Sequence, residues 1–175
     1  KSKERKIVLS LLSPQDNEHI LDAGSGPGIY AAILKDKGCE VICVDIASSM
    51  IRLVRQKKIE GHVSAIEDFF LDRKFDKIIC LGVLEFGSSP GRALGNLVRH
   101  LKEGGCIVLM FPMRTITGCF YKIIHWSHGI NIRLFSLGEI KFLLYKNGLE
   151  IERLVKLFGF SCIIKVRRGP RMDSL

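Results

Sequence analysis

The chemistry legible in this sequence rests on three glycines and two acids. The segment Asp22-Ala-Gly24-Ser25-Gly26-Pro-Gly28 follows one short apolar run, and Asp45 closes a second, Glu40-Val-Ile-Cys-Val-Asp45. Glycines at 24, 26 and 28 let the backbone turn tightly and let a ligand approach closer than a side chain permits. Asp45 stands about 20 residues beyond the loop, where a carboxylate can accept hydrogen bonds from both hydroxyls of a ribose. The spacing argues against a dinucleotide. Gly-x-Gly-x-x-Gly would place its third glycine at Ile29, and here it comes one residue earlier. Asp22, just before the loop, would repel a pyrophosphate but suits a ligand carrying an ammonium group. A nicotinamide-dependent oxidoreductase is therefore the weaker reading.

These residues need a scaffold that brings two strand ends together. After an opening amphipathic helix over 3–12, Ser13-Pro14 breaks the pattern. Strands are expected at His19–Asp22, Glu40–Asp45, His62–Ala65, Phe75–Leu81 and Cys106–Phe111, with helices over 29–37, 48–57 and 90–101 between them. Gly104-Gly105 reads as the stop after the last of these helices. Such alternation, with strands apolar nearly throughout, predicts an α/β, Rossmann-like, doubly wound sheet covered by helices on both faces. Residues 113–133 read as irregular and rich in aromatics and bases. A helix over 136–147 follows, then strands at 149–157 and 160–168 joined as a hairpin through Gly159. The expected organisation is one domain over 1–175. It comprises an N-terminal helix and linker (1–17), a cofactor-binding core (18–112), a substrate-side insert (113–135), a C-terminal helix and hairpin (136–168) and a tail (169–175).

At this point the sequence resembles the class I S-adenosylmethionine-dependent methyltransferases, small-molecule type, and is similar to the methyltransferase type 11 domain group. Asp22-x-Gly24-x-Gly26-x-Gly28 looks like their first motif and Val44-Asp45-Ile46-Ala-Ser-Ser-Met50 their second. Leu81-Gly-Val-Leu-Glu-Phe86 resembles the segment after strand four, and Leu97-x-x-x-Leu101-Lys-Glu-Gly-Gly105 the approach to strand five. The resemblance implies a mostly parallel seven-stranded sheet whose last strand runs antiparallel, with S-adenosyl-L-methionine as cofactor. It implies that Asp22, Gly24, Ser25, Gly26 and Gly28 face the methionine part, and that Asp45, with Ile46 beside it, holds the ribose. Met50, Ile66 and Glu67 would lie near the adenine, with Leu81, Gly82 and Val83 closing the pocket. Family members often carry an Asp after strand three, toward the adenine amino group. Here that position is Ala65, with Glu67 and Asp68 close behind, so either a displaced acid or backbone groups alone hold the base.

Methyl transfer from a sulfonium asks the protein mainly for alignment and exclusion of water. A general base is needed only when the acceptor is protonated. Tyr121, His125 and His128, in the segment after strand five, are the candidates for such a role. His125 and His128, three residues apart, would share a helix face, but two histidines without a third ligand do not make a metal site. The stretch Gly118–Trp126 has the apolar, aromatic character of a lid over a hydrophobic acceptor, of a peripheral membrane contact with Lys122 beside the aromatics, or of an ordinary packed helix.

Composition narrows the rest. With 47% apolar and 26% charged residues the chain reads as an ordinary globular protein, and no apolar run approaches the ~20 residues of a membrane-spanning helix. The charged start Lys1–Lys6 does not read as a signal peptide, and a chain beginning at Lys1 is what a segment of a longer protein would show. Six cysteines lack zinc-like spacing, and four of them sit in apolar runs, so buried thiols in a reducing, cytoplasmic setting are expected and a metal is not. The net charge of +9 admits nucleic acid as a partner, but much of it lies at the two ends. Gly82-Val-Leu-Glu-Phe86 also stands where methyltransferases of nucleic-acid amino groups often place Asn-Pro-Pro-Tyr or Asp-Pro-Pro-Tyr. The expectation is methyl transfer to a small, hydrophobic or anionic acceptor. A non-catalytic binding module of the same fold and a nucleic-acid methyltransferase are the alternatives.

Overall fold

In chain order the elements are α1 (Ser2–Leu12), β1 (His19–Ala23), α2 (Ile29–Lys35), β2 (Glu40–Asp45), α3 (Ser48–Gln56), β3 (Glu60–Val63), β4 (Phe75–Leu81), α4 (Pro90–Arg99), β5 (Leu101–Pro112), α5 (Ile116–Ser127), α6 (Leu137–Lys146), β6 (Leu149–Leu157) and β7 (Ser161–Arg168). They come from a computed structural model that describes residues 2–127, 132–157 and 159–169, with backbone alone at Ser2, Phe120, Tyr121, His125 and Ser127. The seven strands form one sheet in the order β3-β2-β1-β4-β5-β7-β6. Every pairing from β3 to β5 is parallel, while β7 runs antiparallel to both its neighbours. This is the fold class read from the sequence.

Burial on both faces explains why the central strands are apolar throughout. On one face Leu21, Ile42, Ile78 and Ile107 pack with Leu94 and Leu97 of α4 and Ile140 and Leu144 of α6. On the other, Ile20, Ile79, Val108 and Ile163 meet Val8 and Leu12 of α1 and Leu34 of α2, and Cys43 meets Ile51 and Val54 of α3. The chain winds outward from β1 to β3 and then returns to place β4 beside β1. That reversal leaves a crevice at the carboxyl ends of β1 and β4, the usual ligand position of open α/β sheets.

The structure corrects four boundaries. Strand β3 is Glu60–Val63 rather than His62–Ala65: Asp45 at the end of β2 pairs with Val63, and beyond it Ser64 turns its N–H to the Asp45 carbonyl at 3.0 Å. Helix α4 stops at Arg99, not at Leu101, because the His100 carbonyl already accepts from the Phe75 N–H at 2.8 Å, starting β5 at Leu101. Gly104-Gly105 is therefore not a helix stop. It lies in an excursion within β5, where Leu101 pairs with Phe75 but Cys106 already pairs with Lys77. Finally, Ile116–Ser127 is a helix inside the stretch expected to be irregular. The Thr115 hydroxyl accepts from the Gly118 N–H at 3.1 Å at its start, the side-chain cap that a helix N-terminus needs.

The β5 excursion has a steric lock. A Cβ on Gly105 would stand 2.6 Å from the Asp76 carbonyl oxygen, while one on Gly104, at φ +75°, would meet nothing within 4 Å. Gly105→Ala should therefore cost about 2–3 kcal/mol by overpacking against backbone, and Gly104→Ala about 1 kcal/mol of left-handed strain. Urea unfolding checks this. Equal losses at the two positions would show that close approach to Asp76 does not fix the excursion.

Candidate functional site

A cavity of about 590 Å³ opens over the carboxyl ends of β1, β2 and β4, between the glycine loop and the segments after β3 and β4. The loop is fixed from below. Gly24 and Ser25 both donate to the Val44 carbonyl of β2, at 2.7 and 3.1 Å, and Gly28 donates to the Ser25 carbonyl at 3.0 Å. Gly24 takes φ +76°, and a Cβ there would lie 2.2 Å from Val83, so only glycine lets the β1 loop meet the β4 loop.

Asp45 is held at both oxygens. Its Oδ2 accepts from the Gly26 N–H at 2.8 Å and its Oδ1 from the Ala47 N–H at 2.9 Å. Each carboxylate oxygen keeps further acceptor capacity. Asp45 borders the cavity together with Ile46.

Asp22, by contrast, is a buried carboxyl with one oxygen left unpaired. The residue is 4% exposed, and its Oδ2 is buried with no hydrogen-bond partner. Burial pushes its carboxyl up to about 7; a backbone N–H of Ala31 in α2 partly offsets this, and the charge of Asp45 adds to it. One other described side-chain atom shares this condition, Glu85 Oε2.

Of the sequence-predicted residues, Asp22, Gly24, Ser25, Gly26, Asp45, Ile46, Ile66, Glu67, Leu81, Gly82 and Val83 all line this one cavity. Gly28 and Met50 do not. Gly28 precedes α2 at φ +73°, where a Cβ would stand 2.9 Å from Val54, so it brings α2 against α3. Met50 belongs to the first turn of α3 and is half-buried there. Of the two acids behind Ala65, Glu67 reaches the cavity, while Asp68 pairs with Arg92 at the surface. The side chains of Tyr121 and His125 and the whole of His128 lie outside the described residues. Among the described residues no group of three or more His, Cys, Asp or Glu is placed to hold a metal.

Sequence reasoning missed one wall. Glu4 and Arg5 of α1 line the cavity, and the Tyr30 hydroxyl of α2 donates to Glu4 at 3.3 Å. Phe86, Gly87 and Met110 complete the side facing β5. Met110 carried a signal, since it aligns with Leu81 in the β4–β5 register. Arg5 carried none, because α1 reads only as an amphipathic helix.

Comparison with known proteins fits this geometry. A model of the methyltransferase domain family matches residues 21–109, just over half of the chain. The chain belongs to that family. The "Ubiquinone biosynthesis O-methyltransferase" of Rickettsia prowazekii (strain Madrid E) is 32% identical over 143 residues, covering 78% of this chain and 52% of that protein. The chain spans about half the length of the curated relatives it matches. Among solved structures, the magnesium protoporphyrin IX methyltransferase from Synechocystis PCC 6803 with bound SAH superposes with a TM-score of 0.77 at 21% identity, covering 96% of this chain and 84% of that one. A putative methyltransferase from Bacillus halodurans C-125 gives 0.81 at 15% identity, covering 95% and 99%. At these identities the superpositions show the shared fold of the methyltransferase domain.

Asp22 gives a test that needs no ligand. Its folded form keeps a proton to about pH 7, against 3.8 for the ordinary carboxyl. Its contribution to stability is therefore complete below about pH 4 and is lost as pH rises to 7. Asp22→Asn, isosteric and uncharged, should match the parent near pH 4 and exceed it by roughly 2–4 kcal/mol at pH 8. Parallel stability curves across this range would contradict the burial of an unpaired carboxylate.

Proposed function

We propose that this chain binds S-adenosyl-L-methionine in the cavity and transfers its sulfonium methyl group to a small apolar or anionic acceptor. The observation that carries this reading is the unpartnered, buried Oδ2 of Asp22 beside a glycine loop. A desolvated carboxylate calls for a cation, and the ammonium of the cofactor's methionine part meets that need. Arg5 lines the same cavity from α1, where its guanidinium suits the methionine carboxylate. Asp45, anchored by two amides, receives the ribose hydroxyls. Glu67 serves as the acid displaced from Ala65 toward the adenine edge.

When bound, the cofactor supplies a methyl group activated by its positive sulfur. The residues of this chain bind, orient and keep water out. Gly24, packed on Val83, holds the loop in register with the β4 segment, so the methyl donor would be fixed against an acceptor entering past Phe86 and Met110. The curated relatives are named O-methyltransferases, which supports oxygen as the methylated atom. Five of the six cysteines are free and buried, which suits a reducing compartment such as the cytoplasm.

Calorimetric titration with S-adenosylmethionine, S-adenosylhomocysteine and NADH tests the reading. Micromolar binding of both adenosyl ligands and none of NADH is expected. Asp45→Ala should weaken binding at least 100-fold, from two charge-assisted hydrogen bonds at roughly 1.5–3 kcal/mol each. Arg5→Ala should weaken it about tenfold. No binding of either adenosyl ligand would sink the reading and favour a non-catalytic module of the same fold.

Helix α5 favours peripheral contact with a membrane surface. Ile116, Ile123, Ile124 and Trp126 are exposed, Trp126 at 72%, and the helix carries Lys122 but no acid. No helix among the described residues is long and apolar enough to span a bilayer, so the contact would be interfacial, with Trp126 at headgroup depth. Co-sedimentation with vesicles of mixed anionic and zwitterionic lipid should fall at least fivefold in an Ile123→Ser, Trp126→Ser double variant. Equal sedimentation of parent and variant would place the contact elsewhere.

A further inference from the structure

Three consecutive residues after β3, Ala65, Ile66 and Glu67, line the cavity yet belong to no helix or strand. The Ala65 carbonyl accepts from the Asp68 and Phe69 N–H groups, both at 3.1 Å, which closes a single turn. One isolated turn fixes many torsions for few bonds and does not hold itself. Its support comes from α4. The side-chain amide of Asn96 donates to the Ile66 carbonyl at 3.1 Å and to the Phe69 carbonyl at 2.9 Å. A side-chain amide has two N–H donors, so Asn96 spends both on the two ends of this turn.

Asn96 is the middle of three rungs. Arg92, Asn96 and His100 stand four residues apart, so α4 presents them on one side. Arg92 pairs with Asp68 at the surface, a contact worth little by itself. The His100 Nε2 accepts from the Leu71 N–H at 3.1 Å, which leaves the ring proton on Nδ1 to donate to the Asn96 carbonyl at 2.8 Å. Asn96 and His100 are both buried, at 6% and 2% exposure. The Ile66 carbonyl belongs to the peptide group that leads into Glu67, so the bond from Asn96 fixes where the Glu67 side chain starts. That side chain lies across Gly87, where a Cβ would stand 2.6 Å from Glu67 Oε1.

Resting on the cofactor reading above, we propose that Asn96 is a positioning residue for base recognition, holding Glu67 at the adenine edge in place of the acid absent at Ala65. Position 65 follows closely on β3, whereas Glu67 stands within the turn itself, so its aim depends on a bond from outside. Asn96 does not line the cavity and acts only through the turn. With the turn held, the Glu67 carboxylate accepts from the adenine amino group. A base with a carbonyl at that place sets two acceptors against each other, which makes the held acid a device of specificity.

The test uses the intact chain and two ligands, S-adenosylhomocysteine and S-inosylhomocysteine, the second carrying a carbonyl where adenine carries its amino group. In calorimetric titration the parent should prefer the adenosyl ligand about 30-fold, the effect of one hydrogen bond to a charged group. Asn96→Leu keeps the volume and removes both donors. Its preference should fall to about threefold, with affinity for the inosyl ligand within about twofold of the parent. Equal weakening of both ligands, the mark of a merely structural role, overturns the proposal, as does a parent that binds the two alike. Nuclear magnetic resonance of the parent gives a check that does not depend on the variant folding. The two Asn96 side-chain hydrogens should exchange with solvent about tenfold more slowly than those of exposed Asn17, and more slowly again with the adenosyl ligand than with the inosyl one. Exchange as fast as at Asn17, or the same response to both ligands, also overturns it. Failure of the parent to bind S-adenosylhomocysteine refutes the cofactor reading instead.

Discussion

The carboxylate of Asp45 is the tie on which the cavity depends. It ends β2, yet its two oxygens accept amides on either side of that strand end, Gly26 from the glycine loop and Ala47 from the turn into α3. The Val44 carbonyl next to it takes two more amides of the same loop. Four donors from two segments thus converge on the end of one strand. A loop containing three glycines has much conformational freedom to lose, and these bonds confine it to the one path that passes under Val83 without a side chain between. The shape of the cavity rim follows from that path.

Rigidity at the rim permits disorder in the electrostatics. Asp22 and Glu85 are both buried, both lack a partner at one oxygen, and both are pushed up to about 7. Among the described residues these two hold the buried side-chain oxygens left without a partner, one near the end of β1 and one in the turn after β4. Asp22 lines the cavity, whereas Glu85 sits behind Gly82 in the turn that borders it.

The strands were legible because they are buried on both faces. A run such as Phe75–Leu81 has no polar side to present, and its limits match those read from the residues alone. Strand β3, at the sheet edge, is half-exposed, and its position depended on pairing with β2 rather than on its own pattern. The β5 excursion misled for a related reason. Gly104-Gly105 has the local chemistry of a helix end, but a long-range bond from Phe75 to His100 had already ended the helix. Within the site, the loop acids and glycines were readable because backbone geometry restricts the residue types at those positions. Arg5 and Phe86 reach the cavity only through tertiary packing, which no spacing along the chain reports.

That division between readable and unreadable residues follows a physical division of labour. The half of the cavity built by β1, β2 and their loops must satisfy fixed donors and acceptors, so few residues fit and each leaves a mark on the sequence. The other half, from α1, the turn after β4 and the end of β5, is mostly an apolar enclosure that includes Val83, Phe86 and Met110, and many residues would enclose it equally well. Glu4 and Arg5 are the exceptions on this side: α1 brings both to the cavity by packing Val8 and Leu12 on the sheet, so no spacing along the chain marks them.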